Sequence, residues 1–136
     1  RFGDPECQAL MLRMKNDIVQ LILDCIDGKL DKTQIEWEDD NCATVVMASK
    51  GYPGEYKKNT IIRGIEKLES SDIFQVFHAG TNHDGSNLLA TGGRVLSVTA
   101  KNETLSEALN IIYKSISQLE WPEGYYRKDI GKKALS

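Results

Sequence analysis

Four short stretches of this sequence carry residue types that do chemistry. The opening RFGDPE sets Arg1 three residues before Asp4, a cation and a carboxylate at the start of a helix. Thr91–Arg94, TGGR, joins two glycines to an arginine: glycines let a backbone come close to a ligand, and a guanidinium pairs with phosphate or carboxylate. His78–Thr81, HAGT, places an imidazole and a hydroxyl at a strand end. GYPG at 51–54 is glycine-rich but lacks the Lys-Ser/Thr ending of a phosphate-binding P-loop, and its proline has no N–H to donate. Each stretch also has a plain structural meaning. Asp4 suits a helix N-cap with Pro5 in the first turn. TGGR suits a β-bulge or bend. His78 suits a satisfied strand residue, His83 a solvated turn, and EWEDD at 36–40 a solvated face. Residue types alone lead to an α+β domain with one candidate anion site.

The elements that must position these residues follow from hydrophobic period. Leu10, Met14, Ile18, Leu21, Ile22, Cys25 and Ile26 recur at threes and fours and predict helix from Pro5 to about Asp27. Asn16 is a possible internal cap, which leaves one long helix and two short ones both open. Gly28 suits the C′ position. From Cys42 the period changes to strand in CATVVMAS, with Val45–Met47 suggesting burial on both faces. Ile61–Ile62 and FQVFHAGT read as extended, NHDGSN as a turn, and LLATGGRVLSVTA as two strands hinged at Gly92–Gly93. Thr104 and Glu107 form a capping box for a helix burying Leu105, Ala108, Leu109, Ile112, Ile116 and Leu119. A tail with Tyr125, Tyr126 and DIGKKAL follows.

Composition narrows the classes. The 136 residues carry 17 basic and 20 acidic side chains, a net charge of -3, which disfavours a general nucleic-acid or membrane-surface binder. No apolar run approaches the roughly 18 residues of a membrane helix. Cys7, Cys25 and Cys42 are too few and too scattered for a disulfide scaffold, so reduced thiols and a cytoplasmic setting are expected. No dinucleotide fingerprint, nucleophile elbow or zinc spacing occurs. The opening reads as a loop already running into a helix, so a longer parent polypeptide is expected.

The order of RFGDPE, ASKGYPG, FHAGT, GGRVLSVTA and YRKDIGKKAL resembles the carboxyl-terminal part of the glycinamide ribonucleotide synthetase family, the phosphoribosylamine–glycine ligases, from Arg1 to Leu135. The resemblance implies an ATP-grasp enzyme that joins glycine to 5-phosphoribosylamine through glycyl phosphate, hydrolysing ATP to ADP and phosphate in the second step of de novo purine synthesis. It implies that residues 1–33 end the ATP-grasp domain and that 34–136 form a small carboxyl-terminal domain of antiparallel strands backed by an amphipathic helix. The Mg²⁺ or Mn²⁺ ligands, a Glu and an Asn, are expected just before Arg1, and the amino-terminal and ATP-clamping subdomains lie outside this chain. Arg1 is implied as a catalytic contact for the transferring phosphoryl group, with Asp4 first capping the helix and then orienting Arg1. Gly92, Gly93 and Arg94, with His78 and Thr81, are implied at the substrate. The family commonly has Gly where Asn59 stands and Leu where Met47 stands. The alternative is a non-catalytic substrate-binding or packing module of a related ATP-grasp carboxylase.

Overall fold

A computed structural model describes residues 2–135. Two antiparallel sheets and three α-helices make up the α+β fold. The helices are α1 (Glu6–Arg13), α2 (Ile18–Ile26) and α3 (Leu105–Ile116); the strands are β1 (Asn41–Ser49), β2 (Thr60–Ile62), β3 (Phe74–His78), β4 (Thr81–His83), β5 (Leu88–Ala90), β6 (Arg94–Asn102) and β7 (Gly124–Tyr126). One sheet runs β3-β6-β1-β7 and the other β2-β5-β4.

The larger sheet is built on the β1–β6 pair. Ala43, Val45 and Met47 stand opposite Ala100, Val98 and Leu96, and all six are buried in one core with Leu109, Ile112 and Ile116 of α3. The cap that opens α3 is the one its sequence signals. Thr104 accepts from the Glu107 N–H, while the Glu107 carboxylate takes the Thr104 hydroxyl at 2.8 Å instead of reaching back to the backbone. The other sheet face carries Cys42, Thr44, Ser97, Thr99 and Lys101, and α1 packs against β1 and β6. Cover on both faces explains why β6 is buried from Val95 to Lys101. Two helices, not one, therefore back the strands.

The helical span before Gly28 is broken. Asp17, not Asn16, caps α2, accepting from the Val19 N–H at 2.8 Å. Asn16 instead fastens the following linker, donating to the Gln34 carbonyl and accepting from the Glu36 N–H. Gly28, at φ +65°, ends α2, with the Lys29 N–H returning to the Asp24 carbonyl. The acidic run is not simply solvated. Glu38 sits between Lys101 and Lys15 at 3.5 and 3.4 Å. Desolvation raises the Glu38 pKa, but the two ammonium groups outweigh it and hold the carboxyl below its usual range.

Only Leu21 of α2 is buried; Val19, Ile22, Leu23 and Ile26 are exposed, Ile26 to 75%. Beside them an apolar groove of about 280 Å³ is lined by residues including Phe2, Leu10, Met14, Ile18, Leu21 and Trp37. A helix with so little buried area draws little stability from packing. Amide exchange should therefore be faster in α2 than in α3; equal protection would contradict this packing account.

The chain crosses between sheets at glycines. Gly80 and Gly92 lie so close that a Cβ on Gly80 would stand 2.6 Å from the Gly92 Cα, and one on Gly92 would stand 2.9 Å from the Gly80 Cα. The Gly80 carbonyl accepts from the N–H groups of Thr91 and Gly92, and its N–H donates to the Arg94 carbonyl. Backbone has no room to yield there. Gly80→Ala should lower stability by about 2 kcal/mol or more, whereas Gly54→Ala, which meets a single carbonyl oxygen at 3.2 Å, should change it by less than about 1 kcal/mol. Urea unfolding of the two variants decides this, and equal midpoints would count against the contact.

Candidate functional site

β6 begins at Arg94, directly after the glycine pair, and its first turn of backbone is irregular. Met47 pairs with Leu96 but Ala48 pairs with Arg94, so Val95 is the extra residue of a β-bulge. A bulge re-aims the side chains beside it. The bend expected as the plain meaning of TGGR is therefore present, and it also delivers the guanidinium. Arg94 Nη2 donates to Asp4 Oδ2 at 2.7 Å and Nη1 to the Asp4 carbonyl at 3.3 Å.

This contact corrects the reading of Asp4 as a helix cap. The residue flanking α1 is Pro5, without a side-chain cap, and the Cys7 N–H is satisfied by the Gly3 carbonyl at 2.9 Å. The Asp4 carboxylate has a guanidinium to meet, a stronger partner than an amide N–H. Two N–H donors of Arg94 are used by Asp4; the remainder of the fork is available to an anion. Arg1 lies outside the described residues.

The ASKGYPG stretch closes the other side. Ser49, 2% exposed, donates its hydroxyl to the Gly92 carbonyl at 2.9 Å and its N–H to the Gly93 carbonyl at 2.8 Å. The Tyr52 ring occupies the space a side chain on Gly93 would need. Neither Ser49 nor Tyr52 was legible as a site residue. The signal lay in ASKGYPG itself, but its turn residues describe only the loop. Asn59, at φ +58°, ends that loop in the left-handed region. Asn is among the few non-glycine residues that tolerate this conformation.

His78 is neither a core residue nor in contact with Arg94. It is exposed at the end of β3, its Nδ1 3.1 Å from the Thr81 hydroxyl. Partial burial, with His83 nearby, lowers its pKa, which disfavours the imidazolium as a partner for an anion. HAGT meets TGGR through Gly80 instead. His83 lies in β4, at the edge of the smaller sheet, and is exposed. The fifth stretch packs elsewhere. Gly131 lies on Leu109 and Leu105 of α3, and Arg127 forks onto Asp129 at 2.9 and 2.7 Å. Four stretches thus converge on Arg94 and the fifth supports the core. Among the described residues no group of three or more His, Cys, Asp or Glu is placed to hold a metal ion, and no helix is long and apolar enough to cross a membrane.

Comparison with known proteins places this arrangement. A phosphoribosylamine–glycine ligase of Brucella melitensis is 47% identical over 135 residues, covering 99% of this chain and 32% of that protein. The Agrobacterium fabrum ligase is 50% identical over 136 residues, covering 100% and 32%. The chain thus spans about a third of the length of these curated relatives. The crystal structure of the Thermotoga maritima phosphoribosylamine–glycine ligase has a like fold, with a TM-score of 0.72 at 24% identity over 95% of this chain and 31% of that one. Residues 42–133 match the family described as phosphoribosylglycinamide synthetase, C domain. That match takes in both sheets, α3 and three of the four converging stretches, and the chain belongs to this family.

Proposed function

We propose that this chain is the carboxyl-terminal, substrate-side part of a cytoplasmic phosphoribosylamine–glycine ligase, which joins glycine to 5-phosphoribosylamine with hydrolysis of ATP through glycyl phosphate. The observation that carries the reading is the convergence of SKGYPG and HAGT on the Gly92–Arg94 backbone of TGGR, with Asp4 of RFGDPE on the Arg94 guanidinium, in a chain similar over its whole length to such ligases. ATP and Mg²⁺ or Mn²⁺ belong, in this reading, to polypeptide preceding Arg1, and nothing among the described residues fits the metal. The role derived for this chain rests on its own side chains.

Arg94 binds the phosphate of 5-phosphoribosylamine, a group that does not react. Its interaction is the same in ground and transition states, so it sets KM more than kcat. Asp4 fixes the guanidinium through Nη1 and Nη2 and leaves Nε–H and one N–H on each Nη for the phosphate. Arg1 keeps the role the resemblance gives it, at the phosphoryl group where charge develops. The apolar groove beside α2 takes side chains of the preceding subdomains, since such ligases are about three times as long as this chain. No observation favours the carboxylase alternative.

Arg94→Ala in the full-length parent should raise the KM for 5-phosphoribosylamine by roughly 30-fold, from about 2 kcal/mol for a lost charge-assisted hydrogen bond, with the ATP and glycine constants nearly unchanged. Steady-state kinetics with each substrate varied checks it. An unchanged 5-phosphoribosylamine KM would reduce TGGR to a bend. The chain by itself should give no saturable heat with Mg-ATP in calorimetry, because in this reading the nucleotide and its metal are held by other parts of the full-length ligase; binding at micromolar nucleotide would contradict the division of labour.

A further inference from the structure

Tyr52 is 44% exposed and stands outside the buried core. Scattered exposed aromatics are ordinary and need no explanation. This one differs because the backbone makes room for it. A Cβ on Gly93 would overlap the Tyr52 ring, coming within 2.7 Å of Cε2. Gly93 has no positive φ, unlike Gly51 or Gly64. Space for the ring, then, and not backbone conformation, is what requires glycine at 93.

The loop that carries the ring is also tied down. The Tyr52 N–H donates to the Ser49 carbonyl at 3.0 Å, and the Gly54 N–H to the Gly51 carbonyl at 2.7 Å. Gly51, at φ +101°, lets the Glu55 carbonyl fill the place of a side chain. Tyr56 meets the ring edge-on, with centroids 6.4 Å apart and planes at 61°. The Tyr52 hydroxyl makes no hydrogen bond within the described residues. One ring face rests on the residue that directly precedes Arg94, while much of the side chain stays open to solvent. An aromatic with an unpartnered hydroxyl, seated on the residue before an arginine, is a suitable surface for a ligand that joins a sugar to a phosphate.

We propose that Tyr52 is a further substrate-binding residue, on which the ribose of a pentose 5-phosphate lies while Arg94 takes the phosphate. This rests on the ligase reading for the identity of the substrate, but the platform has its own readout. In the full-length protein, Tyr52→Ala should raise the KM for 5-phosphoribosylamine about three- to tenfold, leaving the ATP and glycine constants and the thermal midpoint close to wild type. Gly93→Ala, which displaces the ring, should do the same; Tyr52→Phe, which removes only the hydroxyl, should have a smaller effect. Calorimetry with ribose 5-phosphate should show binding weakened by a similar factor in Tyr52→Ala, with inorganic phosphate unaffected. A wild type inactive as a ligase whose ribose 5-phosphate binding still depends on Tyr52 overturns the ligase reading and supports the platform. An active wild type with an unchanged 5-phosphoribosylamine KM in Tyr52→Ala overturns the platform alone, as does an equal rise in all three constants, the mark of a structural role.

Discussion

The contact between Gly80 and Gly92 is the constraint on which the site depends. Two backbones meet where neither tolerates a methyl group, and the hydrogen bonds around them fix the exit from β3 against the start of β6. The candidate site hangs from that junction. Arg94 is aimed by the bulge immediately after it. Ser49 ties the Gly92 and Gly93 carbonyls to the end of β1. The bare Gly93 backbone supplies the seat for Tyr52. The close approach draws no stability from side-chain packing, yet it sets positions that loop residues alone would leave loose.

Electrostatics acts on this frame chiefly by orientation. The Asp4–Arg94 pair joins residues 90 apart in sequence at 2.7 Å, with side chains 69% and 39% exposed. A pair so open to water adds about 1 kcal/mol at most to stability. Its value lies in holding a guanidinium in one direction and in fastening the segment before α1 to β6. Lys101, whose side chain is 9% exposed, anchors the linker after α2 through Glu38. These two ion pairs lie near opposite ends of β6, so the amino-terminal segment is tied to the sheet along the length of that strand.

Local chemistry was legible in the sequence wherever the partner is near in the chain. The Thr104 cap and the Gly28 stop depend on residues a few positions away, whereas β1, expected to be buried on both faces at Val45–Met47, alternates in burial from Ala43 to Ser49. Asp4 was misread because its partner, Arg94, is distant, and a carboxylate offered a guanidinium leaves the helix end. Cover of the β6 second face by α1 was likewise hidden, since that face carries Ser97, Thr99 and Lys101, not an apolar stripe. β7 escaped notice as three residues whose pairing with β1 involves the backbone more than side-chain pattern. The order of the stretches was visible; their convergence was not, because close glycine backbones carry no hydrophobic signal.

The most direct test of the central claim is a crystal structure of the full-length protein with glycinamide ribonucleotide bound. The geometry around Gly80 and Gly92 predicts that ligand's phosphate oxygens within hydrogen-bonding distance of the Arg94 guanidinium, with Asp4 still accepting from Nη1 and Nη2. A phosphate bound elsewhere, with Arg94 engaged by Asp4 alone, would contradict it.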